Sequence, residues 1–281
     1  MSTIQWTDET WNPSTGCTKI SPGCANCYIE RTPPMRMHGR KFVNGRIPLE
    51  FHEDRLDAPL HWKKPRRVFV NSMSDLFHED VPGNFLDSVF RVMIECRQHT
   101  FQVLTKRAKR MQKYVGDRWG VFGGKEHPLG PNIWLGVSVE DQKRADERIP
   151  LLLQTPAAVR FLSCEPLLGL VVLDTFHGGR PHYLTREVDH AEDVMLDWVI
   201  VGGESGPGSR ACNMDWIRSI VQQCNRAGVA CFVKQVGSNA SGDSQLHQID
   251  CQCGLHHGFK DKKGGDPEEW PEDLRVREFP K

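Results

Sequence analysis

Residues 133–153 read IWLGVSVEDQKRADERIPLLL, an apolar run of strand length followed at once by a helical stretch. A near-continuous apolar run is typical of a strand that is covered on both faces, because an exposed face would introduce alternating polar residues. The same pattern recurs along the chain. The predicted strands are Val68–Asn71, Phe101–Leu104, Ile133–Val139, Val159–Ser163, Trp198–Gly202 and Ala230–Lys234, with a further short strand near Thr3–Trp6.

Helices are predicted between these strands, at Asn84–Arg97, Arg107–Val115, Asp141–Leu153 and Met214–Ala227. Strands that alternate with helices favour parallel pairing through right-handed crossovers. We therefore expect fold class α/β, a partial (β/α) barrel with parallel strands, over residues 1–237. The strand–helix alternation stops after Gly237, so residues 238–281 are expected to form an irregular C-terminal tail packed on the barrel.

Charge and hydropathy exclude some function classes. The 281 residues contain 36 Lys and Arg against 36 Asp and Glu, so the chain does not coat nucleic acid by bulk electrostatics. This balance does not exclude binding of a nucleotide or a short stretch of DNA through a local basic patch. No apolar run approaches the roughly 18 residues of a membrane span, and the first residues do not resemble a signal peptide. We expect a cytoplasmic protein with no membrane partner, whose ten cysteines are reduced.

Three cysteines, Cys17, Cys24 and Cys27, follow the spacing C-x6-C-x2-C in a segment rich in Gly and Pro. Thiolates are soft ligands, and such a loop can bring all three sulfurs to one inorganic core with a coordination position left open. The alternatives are a zinc site completed by a distant His or Cys, and unrelated core cysteines. A position at the end of the first barrel strand favours an iron–sulfur active site.

This loop resembles that of the radical S-adenosylmethionine superfamily, although the usual spacing there is C-x3-C-x2-C with an aromatic residue before the last cysteine. The chain has six residues in the first gap, and Tyr28 follows the last cysteine. Nearly the whole chain resembles more closely an uncharacterised phage and prophage family with a three-cysteine motif. The shared blocks include WNPSTGC, SPGCANCY, VFVNSMSDLFH, FLSCEPLLG and VIVGGESGPGSR.

The resemblance implies a 4Fe–4S cluster on the three cysteines, S-adenosyl-L-methionine as cofactor, and generation of a 5′-deoxyadenosyl radical. If the gene belongs to a phage, the protein works in the host cytoplasm. The loop after the second barrel strand would hold the amino group of the cofactor, with a helix cap as the alternative role of Asp75. The predicted cofactor contacts are Ser72, Ser74, Asp75, Ser138, Glu140, Gly202, Gly203 and Glu204.

Catalytic and substrate contacts are predicted at the ends of later strands. Glu165 is a candidate catalytic carboxylate, and Cys164 is either a hydrogen-atom donor or a small buried hydrophobe. Anion contacts are expected from Lys106, Arg107, Arg210 and Lys234, with a solvated helix start as the alternative for the first two. Cys251, Cys253, His256 and His257 have the ligand types of a small zinc knuckle, but they need not bind anything.

The phage-family resemblance implies that the substrate is a nucleic-acid base or nucleotide, which is hypermodified, isomerised or repaired. An external electron donor such as a flavodoxin would be required. The competing hypothesis is a non-catalytic nucleic-acid-binding protein stabilised by zinc or by a cluster. The basic stretch at residues 63–67, KKPRR, favours that alternative, and the neutral charge of the chain opposes it.

Overall fold

The computed structural model describes residues 4–119, 129–174, 183–184, 194–242 and 259–281. Its strands are β1 Glu9–Trp11, β2 Ser14–Thr18, β3 Arg46–Phe51, β4 Arg67–Val70, β5 Thr100–Thr105, β6 Ile133–Ser138, β7 Val159–Cys164, β8 Trp198–Gly202, β9 Cys212–Asn213, β10 Ala230–Gln235 and β11 Ala240–Ser241. Its helices are α1 Pro33–Met37, α2 Gly83–Glu95, α3 Ala108–Trp119, α4 Gln142–Leu153 and α5 Met214–Ala227.

Seven strands form one sheet in the order β1-β4-β5-β6-β7-β8-β10, with parallel pairing. This confirms the predicted fold class, α/β with parallel strands in a partial (β/α) barrel. The fully buried strand β8 shows why the apolar runs were informative, since each of its five residues is buried.

The chain divides into two compact units. The first unit comprises residues 1–137 and 150–160. Behind its sheet, Phe77 follows β4 and meets Phe90 of α2 and Tyr114 of α3 at ring-centroid distances of 6.2 and 6.0 Å. A separate antiparallel pair, β2 with β3, belongs to this unit and carries Cys17.

The second unit comprises residues 138–149 and 161–281. Its core is built on Trp198 of β8, which is fully buried against Phe161, Phe232 and Phe279. Helix α5 is capped before its first residue by Asn213, whose side chain accepts a hydrogen bond from the Asp215 backbone N–H, and after its last residue by Gly228 in the left-handed conformation. Residues 276–278 run beside β10, where the Val233 N–H donates to Val276 O at 2.8 Å.

The prediction of a strand near Thr3–Trp6 is wrong. Residues 4–7 form a turn in which the Thr7 N–H donates to Ile4 O, and pairing with β4 starts only at Glu9. The buried Trp6 side chain accounts for the apolar signal that misled the prediction. Among the described helices, none is long and apolar enough to cross a membrane.

Candidate functional site

The three cysteines of the motif lie in the first unit, within one short stretch of chain. Cys17 lies on β2, Cys24 ends a 3-10 turn at Pro22–Cys24, and Cys27 precedes a second turn at Tyr28–Arg31. All three are free and partly buried. Cys17 and Cys27 pack against a small core of Ile29, Met35 and Ile47. The sequence predicted a loop here, but it did not predict that Cys17 lies on a strand. That strand is β2, STGCT, which pairs antiparallel with β3, RIPLEF.

Burial and neighbouring charges shift the pKa values of two of the three thiols. The pKa of Cys17 is raised to about 12, chiefly by burial; the charges of Asp75, Cys24 and Cys27 act in the same direction, and Arg107 opposes them. Burial also raises the pKa of Cys27, whereas the positive charges of Lys106 and Lys19 lower it. Cys17 and Cys27 thus have cations beside them: Arg107 NH1 lies 4.0 Å from Cys17 Sγ, and the charge of Lys106 acts on Cys27.

No group of three or more His, Cys, Asp or Glu side chains is already arranged as a metal site within the part of the chain that the structure describes. Cys17 Sγ lies 3.6 Å from Thr18 O, and Cys24 Sγ lies 3.8 Å from Ser21 Oγ. The donor set nevertheless has the chemistry of an iron–sulfur site: three free soft thiols in one segment, next to positive charge. Ligation requires the side chains to rotate away from these local contacts.

Gly16 explains how the chain reaches Cys17. Its φ is +98°, and a Cβ at this position would lie 2.1 Å from Pro48 O, so no other residue fits without displacing β3. Its N–H donates to Met73 O at 3.0 Å, which links β2 to the loop after β4. Tyr28 makes a second link, because its hydroxyl donates to Ser72 O at 2.5 Å. The cysteine segment is thus fastened directly to the loop that was predicted to bind the cofactor.

Among the predicted cofactor contacts in the loop after β4, Asp75 is already hydrogen-bonded within the protein. The Asp75 carboxylate is buried and accepts hydrogen bonds from Thr105 Oγ1 at 2.7 Å, the Lys106 N–H at 3.1 Å and Arg107 at 3.0 Å. These bonds organise the end of β5 and the start of α3.

The two predicted serines of this loop bond to the segment before Cys17. Ser72 donates to Asn12 Oδ1 at 3.1 Å, and Ser74 Oγ accepts from Ser14 Oγ at 3.2 Å. Asn12 was not predicted, although it sits within the block WNPSTGC.

Arg107 is buried and does not lie at a rim where a substrate anion would meet it, as the sequence had led us to expect. Its Nε donates to both carboxylate oxygens of Glu79, and NH1 pairs with Asp75 and lies 4.0 Å from Cys17 Sγ. NH2 donates to Thr18 O at 3.2 Å. The guanidinium therefore holds the strand that carries Cys17. Lys106, which is half-buried, is the neighbouring cation whose charge acts on Cys27.

His78 also holds this strand, and the sequence argument missed its role. The Asp80 N–H donates to Nδ1 at 3.1 Å, so Nε2 carries the proton and donates to Thr18 Oγ1 at 2.8 Å. Burial lowers the pKa of His78, which keeps the ring neutral. Its position at the end of the block VFVNSMSDLFH was the available signal.

In the second unit, the predicted ribose contacts Ser138 and Glu140 are buried around Arg148. NH1 of Arg148 donates to Ser138 O at 2.8 Å and to Glu140 Oε2 at 2.9 Å. A carboxylate with 1% of its side chain exposed is a structural partner of this arginine, so the prediction that it binds a ribose hydroxyl needs the pair to open. Arg148 was not predicted.

Glu165 lies at the end of β7 and pairs with two residues of β10. Its Oε1 accepts from Lys234 Nζ at 2.6 Å and from Gln235 Nε2 at 3.0 Å. Both side chains of the ion pair are about one-fifth exposed, so solvent reaches this carboxylate. The preceding Cys164 is fully buried, and burial raises the pKa of its thiol. Cys164 thus has the surroundings of a small buried hydrophobe, the alternative that the sequence left open.

The glycine-rich turn after β8 is closely packed. A Cβ on Gly203 would lie 2.2 Å from Val236 O, and one on Gly202 would lie 3.1 Å from Gln235 O, so both glycines serve the approach of β10. Arg210 is paired with Glu204, its Nε lying 3.0 Å from Oε2. The predicted anion clamp is therefore already occupied by a carboxylate of the same turn. Cys251, Cys253, His256 and His257, the predicted knuckle, lie outside the described residues.

No curated protein and no solved structure matches this chain. One family does match, over residues 1–265, and its description is Protein of unknown function (DUF5131). The match covers the cysteine segment and the strands and helices of the sheet. The chain belongs to the DUF5131 family.

Proposed function

We propose that this protein is a radical S-adenosylmethionine enzyme that acts on a nucleic-acid base, with Cys17, Cys24 and Cys27 as ligands of a 4Fe–4S cluster. One observation carries the proposal: three free, partly buried thiols lie in one short segment, and NH1 of the buried Arg107 lies 4.0 Å from Cys17 Sγ. A 4Fe–4S cluster held by these three thiolates would have one iron without a protein ligand, and the cofactor would bind there.

When bound, the cluster supplies the electron that cleaves S-adenosylmethionine to methionine and a 5′-deoxyadenosyl radical. The chain's own residues hold and orient the reactants. Ser72 and Ser74 are the proposed contacts of the cofactor's amino group, since the Asp75 carboxylate is already engaged by Thr105, Lys106 and Arg107. The roles of Ser138, Glu140, Gly202, Gly203 and Glu204 toward the cofactor remain predictions.

The proposed substrate class rests on the family resemblance alone, and the small number of available cations bears on how binding would depend on salt. Arg107, Arg210 and Lys234 are each paired with a carboxylate. Each neutralised phosphate contributes a slope of roughly −0.9 to the salt dependence of binding, so a site with few available cations predicts weak salt dependence. A base inside a duplex must be extruded at a cost of a few kcal/mol, which favours single-stranded or already modified DNA.

Single cysteine substitutions test the ligand assignment. Cys24→Ala is expected to lose its iron and its visible absorbance after anaerobic reconstitution, because two remaining thiolates hold the cluster too weakly to survive desalting. Cys96→Ala, which removes a buried thiol at the end of α2, is the control and should keep both. Full iron retention by Cys24→Ala, or bound zinc in place of iron in the wild-type protein, would refute the assignment. Zinc would favour the non-catalytic alternative.

A further inference from the structure

The chain from Lys19 to Arg46 has a surface unlike the rest of the molecule. It carries six Lys and Arg against Glu30 alone, whereas the whole chain is neutral. Four of the seven exposed large hydrophobic residues among the described part of the chain also lie here: Ile20, Tyr28, Met37 and Val43. Met37 is 81% exposed, the highest value of the seven. We call residues 19–46 the basic–apolar segment.

The basic–apolar segment contains two of the proposed cluster ligands, Cys24 and Cys27, and begins two residues after the third, Cys17. Its buried residues Ile29 and Met35 form, with Ile47, the small core on which Cys17 and Cys27 pack. Lys19 lies over the ring of Phe42, with Nζ 4.5 Å from the centroid, and its N–H donates to Gly45 O. The exposed residues of the segment and the thiols thus belong to the same short stretch of chain, and the thiols are themselves only partly buried.

Only some of the cationic side chains of the basic–apolar segment form ion pairs with described residues. Arg46 pairs with Asp80 at 2.9 Å, and Arg40 pairs with Glu50. Arg36 and Lys41 are exposed, and they form no ion pair with any residue that the structure describes. An acidic partner would therefore meet two exposed cations, just before and just after Met37 in the sequence, that no described carboxylate pairs with.

The mixture of apolar and basic residues distinguishes between acidic partners. Met and Arg are enriched at protein–protein interfaces, and redox encounters are among the smallest of these. Nucleic-acid interfaces are more polar and more positively charged. An 81% exposed methionine next to the exposed Arg36 fits a protein surface better than a phosphate backbone.

We infer that the basic–apolar segment is the docking surface of an acidic electron-transfer protein that reduces the metal centre held by Cys17, Cys24 and Cys27. The inference rests on the proposed function. In the step, the partner is oxidised by one electron and the metal centre is reduced by one, and no bond or proton is transferred. The segment contributes orientation and attraction, which act mainly on the association rate.

The test compares two reductants on reconstituted protein in a stopped-flow instrument at low salt. The probes are the hydroquinone form of a strongly acidic flavodoxin and the small molecule dithionite. The variant Arg36→Glu/Lys41→Glu should be reduced by flavodoxin about tenfold more slowly than wild type, since charge steering changes association rates by 10-fold or more. Met37→Asp should also slow this reaction. Dithionite should reduce every variant at the wild-type rate.

Lys63→Glu/Lys64→Glu is the matched control, because both positions are exposed and the change in net charge is the same. It should leave the flavodoxin rate within about twofold of wild type, whereas equal slowing in both double variants would mean general electrostatics and would overturn the docking surface. Retained flavodoxin rates in the Arg36/Lys41 variant, with loss of single-stranded oligonucleotide binding, would assign the segment to nucleic acid instead. Wild-type protein that retains no iron would refute the proposed function itself, and the inference with it.

Discussion

Arg107 lies beneath β2, with less than one-tenth of its side chain exposed, and it joins four groups that are distant in sequence. Its partners are Asp75, Glu79, the Thr18 carbonyl and the sulfur of Cys17. A planar guanidinium can serve these directions together, whereas an ammonium on a flexible stem cannot. The residue that looked like a substrate contact is thus a positioning residue for a proposed cluster ligand.

Replacement of Arg107 by Lys is expected to make the midpoint potential of the reconstituted cluster more negative. Hydrogen bonds to the sulfur ligands and nearby positive charge favour the reduced cluster, and lysine keeps the charge without the directed N–H groups. Redox titration followed by electron paramagnetic resonance measures the shift. The control is Arg118→Lys in α3, the helix that follows Arg107; the Arg118 side chain pairs with Asp87 and is about one-third exposed. An unchanged potential in Arg107→Lys would remove the positioning role.

At the scale of elements, the antiparallel pair β2–β3 sets where Cys17 can lie. The pairing register shifts between Thr15 and Cys17, and Gly16 occupies the irregularity with its positive φ. A glycine at such a bulge allows the close approach of β3 that a side chain would block. The position of the first ligand is therefore a property of this pair of strands.

Gly16→Ala is expected to destabilise the protein by about 2 kcal/mol or more, because the substitution adds left-handed backbone strain and a clash with the Pro48 carbonyl. It should also lower iron retention, since Cys17 follows directly. Gly116→Ala is the control: Gly116 lies within α3, a Cβ there would meet no described atom within 4 Å, and alanine should stabilise by about 0.5–1 kcal/mol. Chemical denaturation measures both. Equal stabilities of the two variants would contradict the account of the β2–β3 pair.

His99 precedes β5 and gives the fold a predictable pH dependence. It is buried beside Trp62 and Phe101, Nε2 lies 3.2 Å from Pro59 O, and Nδ1 has no hydrogen-bond partner among the described residues. Burial lowers its pKa from the ordinary value of 6.5. The unfolded chain therefore binds the proton more readily, so the stability that the neutral ring contributes is present above pH 6.5 and is lost as the pH falls through the lowered pKa.

His99→Phe keeps the ring contacts and removes this titration. We expect the free energy of unfolding of the wild-type protein to fall between about pH 7.5 and pH 5.5, the range that spans the ordinary pKa of histidine. The decrease should be smaller in His99→Phe. Urea denaturation at each pH measures it, and parallel pH profiles of the two proteins would show that His99 does not contribute.

At the scale of the whole molecule, regular elements could be predicted and charge pairing could not. The bounds of Trp198–Gly202 and Met214–Ala227 agree with the structure to the residue, because burial and helical periodicity are local properties of the sequence. The partners of a charged side chain are not local. Lys234 pairs with Glu165, 69 residues away, and Arg107 with Asp75, 32 residues away, so residues predicted to meet a ligand meet each other.

In the candidate site, too, the features that are local in sequence could be predicted and the contacts between distant residues could not. The identity and spacing of Cys17, Cys24 and Cys27 could be read directly, and so could the loop that follows β4. Strand β2, which contains Cys17, was not predicted, because its pairing partner β3 begins only at Arg46, after the intervening turns and α1. Pairing across such a separation depends on which backbone groups meet in three dimensions, and short strands give only a weak pattern in sequence.

The proposed cluster and cofactor are tested most directly by anaerobic reconstitution of the wild-type protein with iron and sulfide, followed by reduction and incubation with S-adenosylmethionine. Product analysis by chromatography and mass spectrometry should find 5′-deoxyadenosine, formed slowly even without substrate, from protein that holds about four irons per chain. The Cys24→Ala protein should form none. A wild-type protein that binds about four irons but neither binds nor cleaves S-adenosylmethionine would contradict the account, and the three cysteines would then hold a structural cluster.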